Sequence, residues 1–137
     1  MRVVLDTNVL VSALLSASGP PAWVLESVLT GHLELAYDAR IREEYEDVLE
    51  RAKFRFSAAQ VSVLLATLDQ VALHVPAVPP WPLPLPDPDD EPFLAVAGLT
   101  SSVLVTGNLR HYPAARRGGV LVLTPRGVVE RSRRGAP

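Results

Sequence analysis

The sequence contains no cysteine, a single lysine and no long uninterrupted apolar run. Without cysteine the chain forms no disulfide and offers no thiolate to a metal, which agrees with a reducing, cytoplasmic location. A membrane helix needs about 18 uninterrupted apolar residues, so no membrane span is expected. The first residues resemble a signal peptide, but Asp6 and Asn8 interrupt the apolar region, so secretion is not expected either.

What the chain does have is enough apolar residues for a real core. It has 137 residues, of which 48% are hydrophobic, and this predicts one globular domain over residues 1–137. The net charge of −2 is too small to indicate a nucleic-acid binder by bulk electrostatics. However, seven arginines and one acid follow Leu109, so positive charge gathers at the carboxyl end, including a basic tail at 131–137.

Buried strands alternate with amphipathic helices along the chain. Short apolar runs predict strands at 3–5, 33–37, 73–75, 102–105 and 119–123. Helical spacing and end signals predict helices at 22–30, 39–52, 58–71, in the mid-nineties and at 125–134. Asp38 and Ser57 are the expected N-caps of the second and third of these. This order predicts a three-layer α/β/α sandwich with a mainly parallel central sheet.

Asp6 directly follows the first buried strand, Val3–Leu5, and precedes Thr7 and Asn8. Open α/β sheets bind ligands at the carboxyl ends of their strands. A carboxylate desolvated there needs a compensating positive charge, which a metal ion can supply. The alternative is that Asp6 simply caps the next helix or starts a turn.

Glu44 is the second acid of interest. At 100° per residue it lies roughly 85° from the centre of the buried stripe of its helix, whereas Glu43 points almost directly away. Glu44 can therefore reach the same sheet edge from a separate element. The alternative is a boundary residue paired with Arg40 or Arg51.

A proline-rich stretch leads to the remaining acids. Residues 75–92 contain eight prolines, which exclude a helix or an interior strand and predict a stiff extended loop at 76–88. Asp87, Asp89 and Asp90 follow, with Asp89 as the expected N-cap of the next helix and Asp90 in its first turn. These clustered acids repel one another, so a cation is a plausible organiser.

Polar residues also follow the strand at 102–105, namely Thr106 and Asn108. The carboxyl edge of the sheet therefore collects Asp6, the 87–91 acids and Asn108, with Glu44 nearby. Oxygen ligands without cysteine or a histidine pair favour Mg²⁺ or Mn²⁺ over Zn²⁺. Such a site suits phosphoryl chemistry.

Four segments carry a family resemblance: VVLDTNVLVSALL at 3–15, EEYEDVL at 43–49, DPDDEPFLAVA at 87–97 and LVTGNLRHYP at 104–113. With them the chain resembles PIN-domain proteins, in particular the toxin components of toxin–antitoxin systems. The resemblance implies a metal-dependent ribonuclease that pairs as a homodimer and binds an antitoxin protein.

Carried over by position, Asp6 and Asp90 resemble the main metal-binding acids of the family, and Glu44 resembles its helix acid. Asn108 stands where many members carry a fourth acid; its amide oxygen can still bind a metal, but one negative charge is lost. This set is the predicted catalytic and metal site. Supporting roles fall to Thr7, Asn8, Asp87, Asp89 and Thr106.

The acidic pocket itself repels RNA, so attraction must come from elsewhere. Arg110, Arg116 and Arg117 follow the Asn108 loop and are predicted to contact backbone phosphates.

Other classes remain as alternatives. A response-regulator receiver or a haloacid-dehalogenase-like phosphatase has acids at strand ends, but each needs a lysine where this chain has none, because Lys53 is wrongly placed. A non-catalytic PIN module that binds RNA or a protein is the stronger rival, and Asn108 is the residue that favours it.

Overall fold

A computed structural model of the protein describes residues 1–135, while residues 136 and 137 of the predicted basic tail lie outside the described residues. The strands are β1 Arg2–Leu5, β2 Glu34–Tyr37, β3 Leu73–His74, β4 Val103–Val105 and β5 Val122–Leu123. The helices are α1 Thr7–Leu15, α2 Pro20–Leu29, α3 Ala39–Leu49, α4 Ala58–Val71, α5 Glu91–Thr100 and α6 Pro125–Arg133. Short 3-10 turns occupy Ala52–Phe54, Pro88–Asp90, Leu109–His111 and Ala114–Arg116.

The five strands form one sheet in the order β3-β2-β1-β4-β5, and every neighbouring pair is parallel. The centre is β1, where Val3, Val4 and Leu5 are all completely buried. Successive side chains of a strand point to opposite faces, so both faces of the sheet are covered by helices. The predicted fold class, a mainly parallel α/β/α sandwich, is confirmed.

The predicted caps explain where the helices begin. The Asp38 carboxylate accepts a hydrogen bond from the backbone N–H of Ile41 at 3.0 Å, and Ser57 accepts one from Gln60 at 3.3 Å. Each bond satisfies an amide that has no partner inside its helix, so the start of α3 and of α4 is fixed by local sequence.

Several element ends differ from the prediction. The last strand begins at Val122 and not at 119, because Gly118 and Gly119 have φ angles of +52° and +86° and form a turn. The helix predicted at 39–52 is α3, which ends at Leu49, since Arg51 is extended and a separate 3-10 turn follows. No single helix within residues 1–135 is both long and apolar enough to cross a membrane.

Candidate active site

Asp6 lies at the carboxyl end of β1 and is only 5% exposed. It occupies the N-cap position of α1, yet its side chain makes no capping hydrogen bond. Its Oδ2 instead accepts hydrogen bonds from the Thr106 hydroxyl at 2.9 Å and from the Tyr112 hydroxyl at 3.0 Å. Asp6 therefore stands at the start of α1, as the capping alternative predicted, but its side chain is held by the loop after β4.

Asp90 reaches the same edge of the sheet from the end of the proline-rich segment. It is 8% exposed, and its Oδ2 is a buried oxygen without a hydrogen-bond partner among residues 1–135. The His111 Nδ1 atom lies 3.1 Å from this oxygen but lacks the alignment of a hydrogen bond, so the contact is an ion pair only while the imidazole is protonated. A buried carboxylate oxygen left in this state is costly unless a positive charge reaches it.

The negative charges of Asp6 and Asp90 repel each other. Burial raises the pKa of Asp6, although the hydrogen bonds from Thr106 and Tyr112 act against this. Burial also raises the pKa of Asp90 to about 7, and the negative charge of Asp6 adds to the effect. The pair thus favours binding of a proton or a cation.

Glu44 is half-buried on α3 and approaches the pair from a third element. Its carboxylate accepts a hydrogen bond from the Thr7 hydroxyl at the start of α1. Burial raises the pKa of Glu44, and the charge of Asp6 contributes to the rise. Arg40 and Arg51, its proposed surface partners, instead form ion pairs with Asp38 and Asp47 respectively.

Asn108 has a local role in the structure. Its side-chain oxygen accepts a hydrogen bond from the Arg110 backbone N–H at 3.2 Å and so caps the 3-10 turn Leu109–His111. Asn8 makes a comparable bridge, because its side-chain oxygen accepts the Gly107 backbone N–H at 2.9 Å. Both amides thereby shape the loop that carries the Asp6 donors, and the role of Asn108 as a metal ligand stays a prediction.

The other two acids of the cluster are exposed. Asp87 caps the 3-10 turn that ends at Asp90, since its carboxylate accepts the Asp89 backbone N–H at 3.0 Å. Asp89 is not the N-cap of α5 as the sequence predicted, because Asp90 occupies that position. The extra turn between the prolines and α5 shifts the helix start by one residue and brings Asp90 into the interior.

The three arginines predicted to bind RNA follow this loop. Arg110 is exposed on the turn beside Asn108, and Arg116 is exposed further along the connection to β5. Arg117 is half-buried, and its Nε donates to the Tyr112 carbonyl at 2.7 Å. The connection from β4 to β5 therefore carries exposed positive charge, while contact with RNA stays a prediction.

The donor set fits a hard divalent cation. Asp6 and Asp90 offer only oxygen atoms, and one of the Asp90 oxygens has no hydrogen-bond partner in the described part of the chain. No group of three acidic or histidine side chains within residues 1–135 is close enough to hold a metal by itself. Mg²⁺ does not require such a group, since it is usually bound by one or two carboxylates together with water and substrate phosphate.

Tyr112 and His111 were not predicted as part of the site. Both follow Asn108 within a few residues. Their place in the loop after the carboxyl end of β4 was the one signal in the sequence that could have assigned them to the site. The hydrogen bond from Tyr112 to Asp6 spans 106 positions in the sequence. Burial and the charge of Asp6 raise the pKa of Tyr112, so the hydroxyl stays protonated and remains a donor.

A cleft of about 700 Å³ lies at the carboxyl ends of β2 and β3, and neither Asp6 nor Asp90 lines it. At its edge Arg42 Nε binds Asp69 Oδ1 at 2.8 Å, and the Tyr37 hydroxyl donates to the same carboxylate. The hydrogen bond from Arg42 lowers the pKa of Asp69. This cluster joins α3 to α4 and β2, and we interpret it as structural.

A parallel sheet with one buried carboxylate, Asp6, at the end of its central strand and a second, Asp90, reaching it from the start of α5 defines the class: an α/β protein with an acidic site. The chain belongs to the PIN-domain family, whose model matches residues 2–110, as the sequence resemblance predicted. PIN domains are generally nucleases, so the family indicates hydrolysis of nucleic acid. No curated protein matches the chain significantly.

Solved structures support the same fold. A chain from the crystal structure of VapBC2 from Rickettsia felis, bound to a DNA fragment from its promoter, superimposes with a TM-score of 0.58 at 14% sequence identity. The alignment covers 90% of this chain and 98% of that chain. At this identity the similarity shows a common fold.

Proposed function

We propose that the protein is a metal-dependent endoribonuclease that hydrolyses RNA phosphodiester bonds. The observation that carries the proposal is the pair Asp6 and Asp90, both buried and close enough for the charge of Asp6 to raise the pKa of Asp90, with one Asp90 oxygen that has no hydrogen-bond partner among residues 1–135. Such a pair opposes folding unless it serves a ligand, and the ligand that suits it is a cation.

Mg²⁺ or Mn²⁺ would be held by Asp6 and Asp90, with Glu44 and Asn108 as further oxygen donors nearby. A divalent cation at this site supplies positive charge against the scissile phosphate and makes water more acidic. Asp6 is suited to this task because Thr106 and Tyr112 fix its orientation before any ligand arrives.

Glu44 is the residue best suited to orient the attacking water. It comes from a separate helix, and the Thr7 hydroxyl holds its carboxylate at the site. Burial raises its pKa, so it accepts a proton more readily than an exposed glutamate does. In this assignment Glu44 takes a proton from water as the water attacks in line with the leaving oxygen.

RNA is attracted by the arginines that follow β4. Arg110 and Arg116 are exposed, and Arg117 is fixed by its hydrogen bond to the Tyr112 carbonyl. Backbone contacts of this kind give salt-dependent binding with little sequence preference.

A toxin of a toxin–antitoxin pair is the biological role that we propose. The PIN-domain family and the fold shared with a chain of the VapBC2 complex support it. In this role the protein acts in the cytoplasm as a homodimer and is inhibited by an antitoxin protein. Light scattering that finds only monomers at micromolar concentration would contradict the homodimer.

One observation favours a second candidate, a non-catalytic PIN module that binds RNA or a protein. The side-chain oxygen of Asn108 caps a turn, and no carboxylate stands at this position to add charge for a second metal ion. The two candidates differ in whether RNA is cleaved or only bound.

Cleavage of several RNAs with Mg²⁺ or Mn²⁺, measured with and without EDTA, separates the two candidates. We expect EDTA to stop cleavage, and Asp6→Asn to abolish it while RNA binding survives. Asp47→Asn removes an exposed carboxylate from α3 and is the matched control with unchanged cleavage. Cleavage that persists in EDTA contradicts the mechanism, and RNA binding without any cleavage favours the non-catalytic module.

A further inference from the structure

Trp81 fastens the proline-rich segment that delivers Asp90. Its backbone N–H donates to the Glu91 carboxylate, and its indole Nε1–H donates to the Arg116 carbonyl at 2.9 Å. One residue therefore contacts both the start of α5, next to Asp90, and the connection that continues from His111 and Tyr112.

The indole ring fits against two glycines. A Cβ atom at Gly98 would lie 2.7 Å from Trp81 Cζ3, and one at Gly118 would lie 2.8 Å from Trp81 Cζ2. Real Cβ atoms do not approach a rigid ring so closely, so the ring fits only because both positions lack a side chain. A glycine inside a helix costs roughly 0.5–1 kcal/mol relative to alanine, and contact with Trp81 is a physical reason for Gly98 in α5.

The Glu91 carboxylate extends the connection to α3. It forms an ion pair with Arg40 at 3.1 Å, and Arg40 also binds the Asp38 carboxylate at 2.8 Å. Asp38 caps the helix that carries Glu44. A continuous chain of contacts thus runs from Trp81 to the helix that supplies the third acid.

Because the segment before Asp90 is rich in proline, holding one of its residues is enough to position the whole segment. Each proline fixes its own φ angle, so the segment has few conformations to lose when one of its residues is held. Without an anchor, the repulsion between Asp6 and Asp90 would favour movement of the start of α5 away from the sheet edge.

We propose that Trp81, Glu91 and Arg40 form a clasp that positions Asp90 and Glu44 against Asp6 for cation binding. These are positioning residues, since their contacts are with the elements that carry the acids. The inference rests on the proposed metal-dependent function and adds residues outside the predicted site.

Two pairs of variants test the clasp in metal-stripped, full-length protein. Gly98→Ala forces the indole out of its position, and Gly127→Ala is its control, because a Cβ there would meet its nearest neighbour at 3.4 Å. Glu91→Gln keeps an acceptor for the Trp81 N–H but loses the ion pair with Arg40. Glu34→Gln, which loses the Arg2 ion pair near the amino end of β1, is its control.

The measurements are Mn²⁺ affinity by calorimetry and the free energy of unfolding by urea titration. We expect Gly98→Ala and Glu91→Gln to weaken Mn²⁺ binding by about tenfold, as is common for groups that orient metal ligands. The controls should change it less than about twofold on the same reasoning. If Gly98→Ala does not fold, Glu91→Gln decides the question.

A spectroscopic measurement separates positioning from a merely stabilising role. In a Trp23→Phe background Trp81 is the one remaining tryptophan, so its fluorescence reports the environment of the indole. Gly98→Ala should shift the Trp81 emission maximum, because the ring has left its position against Gly98 and Gly118, and Mn²⁺ affinity should fall with that shift in protein that is fully folded.

Unchanged Mn²⁺ affinity in both Gly98→Ala and Glu91→Gln would overturn the clasp, even if both variants were less stable. In that outcome wild-type protein still binds Mn²⁺, and the proposed function stands. Wild-type protein that binds neither Mn²⁺ nor Mg²⁺ would overturn the proposed function and the clasp together.

Discussion

Replacing Asp90 with asparagine should stabilise the metal-free protein. The side chain is 8% exposed, and one of its oxygens has no hydrogen-bond partner among residues 1–135. Burial and the charge of Asp6 raise its pKa to about 7, so the ionised form opposes folding at neutral pH. Asparagine has nearly the same shape and carries no charge, so Asp90→Asn removes this cost.

The size of the gain in stability follows from the raised pKa of Asp90. Each tenfold change in proton affinity is worth about 1.4 kcal/mol, so a rise from the ordinary value near 3.9 to about 7 sets an upper limit of roughly 4 kcal/mol. Water reaches part of the site and Asp6 shares in the titration, both of which reduce the effect. We expect Asp90→Asn to raise the free energy of unfolding by about 2 kcal/mol at pH 8.

The sign of the pH dependence follows from the same shift. Because the pKa of Asp90 is higher in the folded protein than in the unfolded chain, the protonated carboxyl contributes stability that is complete below about pH 4. That contribution is lost as the pH rises through about 7. Asp90→Asn should therefore match wild type near pH 4 and exceed it increasingly towards pH 8.

Urea titrations in EDTA at several pH values measure this difference. Asp47→Asn, an exposed acid on α3, is the control and should show no comparable pH-dependent gain. In Mn²⁺ the ranking should reverse, since only wild type binds the cation and gains stability from it. An Asp90→Asn protein that is less stable than wild type at pH 8 in EDTA would refute the reasoning.

Three further predictions concern single contacts. Tyr112→Phe removes a hydrogen bond to the Asp6 carboxylate and should lower the free energy of unfolding by about 1–2 kcal/mol in urea titration; an unchanged midpoint would contradict this. Asp69→Asn should cost less than about 1 kcal/mol at pH 7, because the carboxylate is 39% exposed. Arg42 lowers the pKa of Asp69, so this stability is fully present above the ordinary pKa near 4. The difference from wild type should vanish as the pH falls through the lowered pKa of Asp69 in the folded protein. Arg110→Ala should reduce the slope of log binding constant against log salt by about one in RNA-binding titrations, and an unchanged slope would remove this arginine from the RNA contacts.

Local patterns in the sequence predicted β1, α3 and α5, which position the three acids, but not α1, which carries Thr7 and Asn8. An unbroken apolar run identified β1 and therefore the position of Asp6 at its carboxyl end. Helical periodicity put Glu44 at the edge of the buried stripe of α3, where the structure has it half-buried. These signals work because they depend on neighbours within about one turn or one strand.

Contacts between distant segments were not predictable in the same way. The Tyr112 bond to Asp6 and the fit of Trp81 against Gly98 and Gly118 join segments that only the folded chain brings together. Periodicity contains no information about such contacts. The same limit explains the shift of the α5 N-cap to Asp90, which depends on a turn that the prolines do not specify.

The environments of Asp6 and Asp90 differ in a way that bears on function. Asp6 receives two hydroxyl donors, which favour its ionised form even though it is buried. Asp90 has no hydrogen-bond donor for its buried oxygen among residues 1–135, so its charge depends on the neighbouring His111, whose Nδ1 lies 3.1 Å away, and on any cation that enters the site. In the metal-free protein Asp90, whose pKa is raised to about 7, therefore carries a proton in part of the molecules at neutral pH. In the function proposed above, such a site attracts the cation through Asp6 and gains a second carboxylate ligand when Asp90 loses its proton.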